Sequence, residues 1–196
     1  MLHLIADTPS GLSVTEAAER LGVGRAVVYR LVATLIEHRM IRRDAGGRLR
    51  LGAGVLHLAG RAQPLIADAA RPVLRRLAEA VGATAHLTVA DGGEAVALAV
   101  VEPSWTAFHV AYRAGSRHPL DRGAGGRAIA AGRRHETGWQ ASAGELESGA
   151  YGIAAPVTGV DGLEASVGVI ALAPLDPATI GPQVIAAAAA ISRALN

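Results

Sequence analysis

The chain has no cysteine in its 196 residues. That excludes disulfides, thiolate zinc sites and a cysteine nucleophile, and it fits a reducing cytoplasm. It has no lysine either: all 19 basic residues are arginine, a bias that high-GC codon usage explains without functional weight. Aromatic residues make up only 3 %, so a core must be built from alanine, valine, leucine and isoleucine. The hydrophobic share of 51 % supplies enough of these for one or two domains. The longest apolar run, Val184 to Ile191, is far short of the roughly 20 residues that span a bilayer, and no signal peptide is visible, so a soluble protein with no membrane partner is expected. Gly-x-Ser-x-Gly, Walker, dinucleotide-binding and zinc-protease motifs are all missing. Ser142 and Ser166 have no partnered base in sequence, and Gly123-Ala124-Gly125-Gly126 is followed by no Lys-Ser/Thr. No catalytic residue and no cofactor is nominated. The seven histidines never fall at i, i+3 or i, i+4, which argues against a metal site, although His86, His109 and His118 could converge on one sheet.

What is present is concentrated near the N-terminus, in SVTEAAERLGVGRAVVYRLVATLIEHRMIRRDAGGRLRLG, residues 13–52. Ser13 precedes Glu16 by three, the spacing of a capping box, and Val14, Ala17, Ala18 and Leu21 form one apolar face. Gly22 lets the chain leave this helix, and Gly24 is a permissive cap for a second one beginning near Arg25. There Val28, Leu31, Val32 and Leu35 recur with helical spacing and are assigned to the core, which turns Arg25, Ala26, Tyr29, Arg30 and Ala33 outward. An outward face of guanidinium, phenol and small side chains suits a helix that reads the major groove. Two short strands follow, with Arg42, Arg43, Arg48 and Arg50 flanking the turn Ala45-Gly46-Gly47. Such a basic hairpin suits a wing that grips phosphates without specifying sequence; the bland alternative is a solvated hairpin behind an ordinary helical pair. The order is that of a winged helix-turn-helix.

Charge separates along the chain in the same way. Residues 1–61 carry a net +4 and residues 62–196 a net −2, within an overall +2. A basic head on a slightly acidic body is expected if only the head meets a polyanion.

Residues 54–68, GVLHLAGRAQPLIAD, are expected to form a linker of one or two helices, with Pro64 starting or kinking the second. Another helix is expected over Ala69–Ala80, ended by Gly82. Thr84–Ala90 and Ala95–Glu102 flank Asp91-Gly92-Gly93 and predict a β-hairpin. Phe108–Ala114 is expected as a third strand, Gly123–Ala131 as a short glycine-entered helix, Ile153–Thr158 and Ser166–Leu172 as further strands, and Pro177 onwards as a final amphipathic helix. Residues 69–196 thus read as an α+β sensor-like module.

Taken in order, GLSVTEAAERLGVGRAVVYRLVATL, RRDAGGRLRLG, ARPVLRRLAEAVGATAHLTVADGGEAV, GSRHPLDRGAGGRAI and GWQASAGELESGAYGIAAPV resemble the IclR family of transcriptional regulators, from about Leu2 to the end. The resemblance implies an N-terminal winged helix-turn-helix over residues 1–53, a linker helix and a C-terminal GAF-like or PAS-like effector-binding domain. It also implies dimers or dimers of dimers on palindromic double-stranded DNA operators. Effectors in the family sit between the sheet and the glycine-entered helix, which here implies a lining of Val110, Leu120, Ala124, Gly125, Gly126, Ser142, Gly152, Ile170 and Leu172, with Glu145 nearby. The chain also departs from the family. It passes through Arg133-Arg134-His135 where relatives have a few tens of residues, its first helix around Leu2–Ala6 is short, and Arg127 and Gly152 stand where lysine and cysteine are frequent. Ile170 and Leu172 put branched hydrocarbon where relatives can present hydroxyls to a carboxylate, which favours a more apolar ligand. Backbone N–H groups at Gly123–Gly126 could still take an anion through the helix dipole; the competing reading is that these glycines only allow close packing.

The sequence therefore points to a cytoplasmic, sequence-specific regulator, repressor or activator, modulated by a small organic acid or an aromatic or apolar metabolite. Ala26, Tyr29 and Arg30 would face bases, Arg25 bases or phosphates, and Ser13, Thr15, Arg42, Arg43, Arg48 and Arg50 the DNA backbone, with Gly24 at the helix entry. The alternative is a winged-helix protein-interaction module fused to a sensor domain.

Overall fold

The computed structural model describes residues 1–106, 110 and 112–196. The chain divides into two compact units, Met1–Gln63 and Pro64–Asn196.

In the first unit, helices α1 (Leu2–Ala6), α2 (Val14–Leu21) and α3 (Arg25–Glu37) precede a hairpin of β1 (Ile41–Arg43) and β2 (Leu49–Leu51). The predicted capping box starts α2: the Ser13 hydroxyl accepts from Glu16 N at 3.1 Å, and Ser13 N donates to Glu16 Oε2 at 2.7 Å. Gly22 ends α2 in the left-handed region at φ +66°, where a Cβ would be strained. Ile5, Leu12, Val14, Ala17, Val28, Val32, Ile41 and Leu49 close one small core. Leu31, expected in that core, is 41 % exposed. It lies at the edge of the stripe set by Val28 and Val32. The five-residue α1 leaves an open hollow there, lined by Met1, Leu2, Val27 and Leu31. At the wing tip, Asp44 Oδ1 accepts from Gly46 N at 3.0 Å and Arg48 N at 2.9 Å.

Helix α4 runs unbroken from Gly54 to Val81 with Pro64 and Pro72 inside it. Of the two readings at Pro64, a start or a kink, the fresh start is corrected, as is a separate helix from Ala69. Each proline removes one i→i−4 hydrogen bond, and the flanking turns carry the helix across.

The second unit is built on a six-stranded antiparallel sheet. Its strands are β3 (Thr84–Asp91), β4 (Glu94–Val101), β5 (Arg117–Pro119), β6 (Gln140–Ala143), β7 (Tyr151–Val157) and β8 (Ala165–Ala171), in the order β5-β4-β3-β8-β7-β6. The edge strands β5 and β6 were not anticipated, because three- and four-residue strands carry too little periodicity to see. Of the expected strand over Phe108–Ala114, residues 108, 109 and 111 lie outside the described residues, and Val110 and Tyr112–Ala114 are not in strand.

On one face, Leu74 and Leu77 of α4 meet Leu87, Val167 and Val169 of the sheet and Val184 and Ile191 of α6 (Pro177–Leu195). By length and composition alone α6 matches a membrane span, but its apolar side is buried in this core. On the other face lies α5 (Gly123–Arg133), over the alternating Thr84, His86 and Thr88 of β3 and Ser166 of β8, all four buried. Its seating needs glycine: a Cβ on Gly126 would stand 2.7 Å from the Leu120 carbonyl oxygen. Gly126→Ala is expected to cost about 2 kcal/mol, the range of overpacking in a closed core, read as a lower urea midpoint at unchanged m-value.

Candidate nucleic-acid interface and effector pocket

The exposed side of α3 carries Arg25, Ala26, Tyr29 and Arg30, with Tyr29 57 % exposed. Gly24 caps the helix in extended backbone, with open space where a Cβ would stand. Among the described residues no hydrogen bond or ion pair engages the guanidinium of Arg25, Arg30 or Arg42, and Thr15 is half-buried beside the capping serine. Arg43 donates to Gly47 O at 3.1 Å.

Arg48 and Arg50 are placed differently from the other wing arginines. Arg48 Nε donates to Ser10 O and Gly11 O at 3.1 and 3.0 Å, and its Nη2 to Gly11 O and to both Glu16 oxygens. Arg50 Nε donates to Asp44 Oδ2 at 3.0 Å, and its Nη1 reaches the Pro9 carbonyl. These two side chains fasten the wing to the loop ahead of α2. The Ser13 backbone N–H and hydroxyl, and then Arg48, hold the Glu16 carboxyl down to about 2. The Asp44 carboxyl is also lowered, first by Arg50 and then by the Arg48 N–H. The capping box and the wing therefore share one hydrogen-bonded network through Glu16, while Arg25, Arg30 and Arg42 stand outside it with no internal bond among the described residues.

In the second unit the expected effector lining divides. Val110, Ile170 and Leu172 border a hollow of about 290 Å³ that Gly82, Ala83 and Thr84 complete. Ser142, Glu145 and Gly152 border another of about 370 Å³ with Arg127 and Tyr151. Ala124, Gly125 and Gly126 are buried in α5 and line neither, and Leu120 supports Gly126 from below. The start of α5 is already capped from within. Gly123 N donates to Glu145 Oε2 at 2.8 Å, Ala124 N to Ser142 Oγ at 3.0 Å, and Arg127 Nη1 to Glu145 Oε1 at 2.6 Å. The expectation that the first of these N–H groups await a ligand's anion is corrected: the helix dipole draws a carboxylate, and the chain supplies its own.

Sequence reasoning missed the buried polar row beneath α5. His86 Nδ1 lies 2.9 Å from Thr88 Oγ1, and the Tyr112 ring meets the His86 imidazole edge-on at 5.2 Å between centroids. Ser166 Oγ donates to Gly125 O at 2.9 Å. The Thr84 and Tyr112 hydroxyls are buried without hydrogen-bond partners among the described residues, although Tyr112 lies near Thr88. Burial, and then neighbouring His118, push His86 down to about 4, so it is neutral near pH 7. The available signal was Thr84, His86 and Thr88 at i, i+2, i+4, polar on one face of an apolar strand. His109 lies outside the described residues; among those described, no three potential metal ligands gather.

Family models match both units. The IclR helix-turn-helix domain matches residues 1–45, and the bacterial transcriptional regulator IclR C-terminal domain matches residues 62–137. This chain belongs to the IclR family. It is 30 % identical over 139 residues to the HTH-type transcriptional regulator BhcR of Paracoccus denitrificans, covering 67 % of this chain and 47 % of BhcR. The chain spans about half the length of the curated relatives it matches. Among solved structures, an IclR transcriptional regulator from Silicibacter sp. TM1040 superposes with TM-score 0.58 at 25 % identity, covering 94 % of this chain and 88 % of that one. An IclR homologue from Microbacterium hydrocarbonoxydans complexed with 4-hydroxybenzoate shares the fold, with TM-score 0.58 at 18 % identity over 94 % of this chain and 91 % of its own. The IclR fold thus accounts for both units, a helix-turn-helix with its wing and an α+β domain.

His86 yields a pH prediction. Because its folded pKa lies below the ordinary value of 6.5, the unfolded chain binds the proton first as pH falls. Its contribution is present above about 6.5 and is lost between there and about 4. Denaturation midpoints across this window are expected to fall less steeply in His86→Asn than in the native chain.

Proposed function

We propose that the chain is a DNA-binding transcriptional regulator of the cytoplasm whose operator binding responds to a small-molecule effector held by residues 69–196, with residues 1–53 as the DNA-binding domain and 54–68 as the linker. The observation that carries this reading is the exposed α3 face. It presents Arg25, Tyr29 and Arg30, which like Arg42 of the wing have no side-chain partners among the described residues. Donors and small residues on an exposed helix suit base edges in the major groove, and an unpaired wing arginine suits a phosphate. Arg48 and Arg50 act chiefly by holding the wing in place, with Ser13 in its capping box and Thr15 beside it at the start of α2. A second copy would bring a second α3 to a palindromic half-site. Helix α4 supports that assembly: Leu58 in the first unit and Leu65 in the second are 54 % and 70 % exposed, apolar surface that a second copy can cover. Pairs of dimers are the further step. The effector reading is supported by the hollows at one end of the sheet and by the 4-hydroxybenzoate complex of the M. hydrocarbonoxydans homologue.

Genomic fragments from the source organism, enriched on the full chain and sequenced, are expected to yield a palindromic site whose affinity falls steeply with salt. No enrichment at low salt would refute the reading and favour a protein-interaction module. On the enriched site, Arg30→Ala should weaken specific binding by about tenfold or more while sparing random DNA. Arg42→Ala should weaken both alike and reduce the salt slope by about one; equal loss in both variants and on both DNAs would refute this division of labour. Leu58→Asp with Leu65→Asp should shift the protein to a monomer in sedimentation, and an unchanged mass would remove α4 from the assembly.

A further inference from the structure

Arg48 of the wing is held by two kinds of acceptor. Its Nε donates to the Ser10 and Gly11 carbonyls and its Nη2 to the Gly11 carbonyl, bonds that fix the guanidinium against the loop ahead of α2. Nη2 also donates to both Glu16 oxygens, at 3.1 and 2.9 Å. The carbonyls already engage both of these nitrogens, so what the carboxylate adds is its charge. Glu16 is itself fixed, since Ser13 N donates to its Oε2 at 2.7 Å, and it is ionised at pH 7 because these bonds hold its carboxyl down to about 2. Arg50 repeats the arrangement, with the Pro9 carbonyl as its neutral anchor and Asp44 as its acid.

The Arg48–Glu16 pair is open to solvent, with side chains 38 % and 44 % exposed, so a phosphate can reach it. In a helix-turn-helix the first helix crosses the DNA backbone; here that helix is α2, and Glu16 stands in its first turn. A phosphate that drew Arg48 away would leave a fixed carboxylate facing a polyanion without its counter-charge, a like-charge juxtaposition that is unfavourable. We infer that Glu16 is an intramolecular competitor of DNA phosphate: by neutralising Arg48 it withholds one cationic contact from the wing and so limits sequence-independent binding to duplex DNA. The inference rests on the DNA-binding reading above and adds to it a residue that restrains affinity instead of supplying it. Glu16→Gln isolates the effect, since glutamine at this position preserves a capping box, the carbonyls keep Arg48 in place, and only the charge is lost.

The test measures binding of the full chain to a fluorescently labelled duplex of random sequence at pH 7 across a salt series. Glu16→Gln is expected to bind more tightly, with a log–log salt slope steeper by about 0.9, the increment for one further phosphate neutralised. Its advantage over the native chain should therefore shrink by roughly 3.5-fold for each fourfold rise in salt. Glu19→Gln, which removes an exposed acid of the same helix, should leave the slope as it is. Arg48→Gln should keep the native slope, and Glu16→Gln added to it should produce no steepening. Arg48→Gln decides by itself if Glu16→Gln does not fold. A slope unchanged by Glu16→Gln, a steepening that persists without Arg48, or a slope reduced by about one in Arg48→Gln alone would each overturn the inference and leave the DNA-binding reading intact. Absence of salt-dependent binding by the native chain overturns that reading, and the competitor role with it.

Discussion

The second unit depends on β3 being buried on both faces at the centre of an antiparallel sheet. Paired with β4 on one side and β8 on the other, it has no edge, and its alternation assigns the two faces to different tasks. Ala85, Leu87 and Val89 join the apolar layer under α4 and α6. Thr84, His86 and Thr88 face α5, where buried polar groups must find partners or remain unsatisfied. His86 and Thr88 find each other, while the buried Thr84 hydroxyl has no partner among the described residues. The polar character of this face thus follows from a two-residue period in one strand.

A similar economy organises the first unit. One carboxylate, Glu16, caps α2 and accepts from Arg48 Nη2 of the wing, so helix entry and hairpin placement are coupled through a single group. These ion pairs are partly solvent-exposed, and such pairs contribute modestly to stability. Their value here is geometric: they hold a two-strand hairpin, marginal by itself, against the helical pair.

Much of this was legible in the chain. The capping box, Gly22, the α3 boundary and the DGG hairpin are local devices whose signal lies within a few residues, and they stand where the spacing placed them. Leu31 was misassigned because periodicity alone does not say how wide a stripe the neighbouring elements cover. Helix α4 was cut in two because proline predicts a break that a long helix with good flanking turns can absorb. Strands β5 and β6 escaped notice because they owe their conformation to strand partners distant in sequence.

By itself the sequence determined the helix, turn, helix and hairpin order of the first unit and the exposure of Arg25, Ala26, Tyr29 and Arg30 on α3, because these rest on short-range spacing, and the resemblance of its motifs pointed to the family. Tertiary structure alone decided which arginines are free and which are bound, that Glu145 caps α5, and that Thr84 is left without a partner. The Arg48–Glu16 and Gly123–Glu145 bonds join groups 32 and 22 residues apart, and a one-dimensional pattern does not encode such meetings.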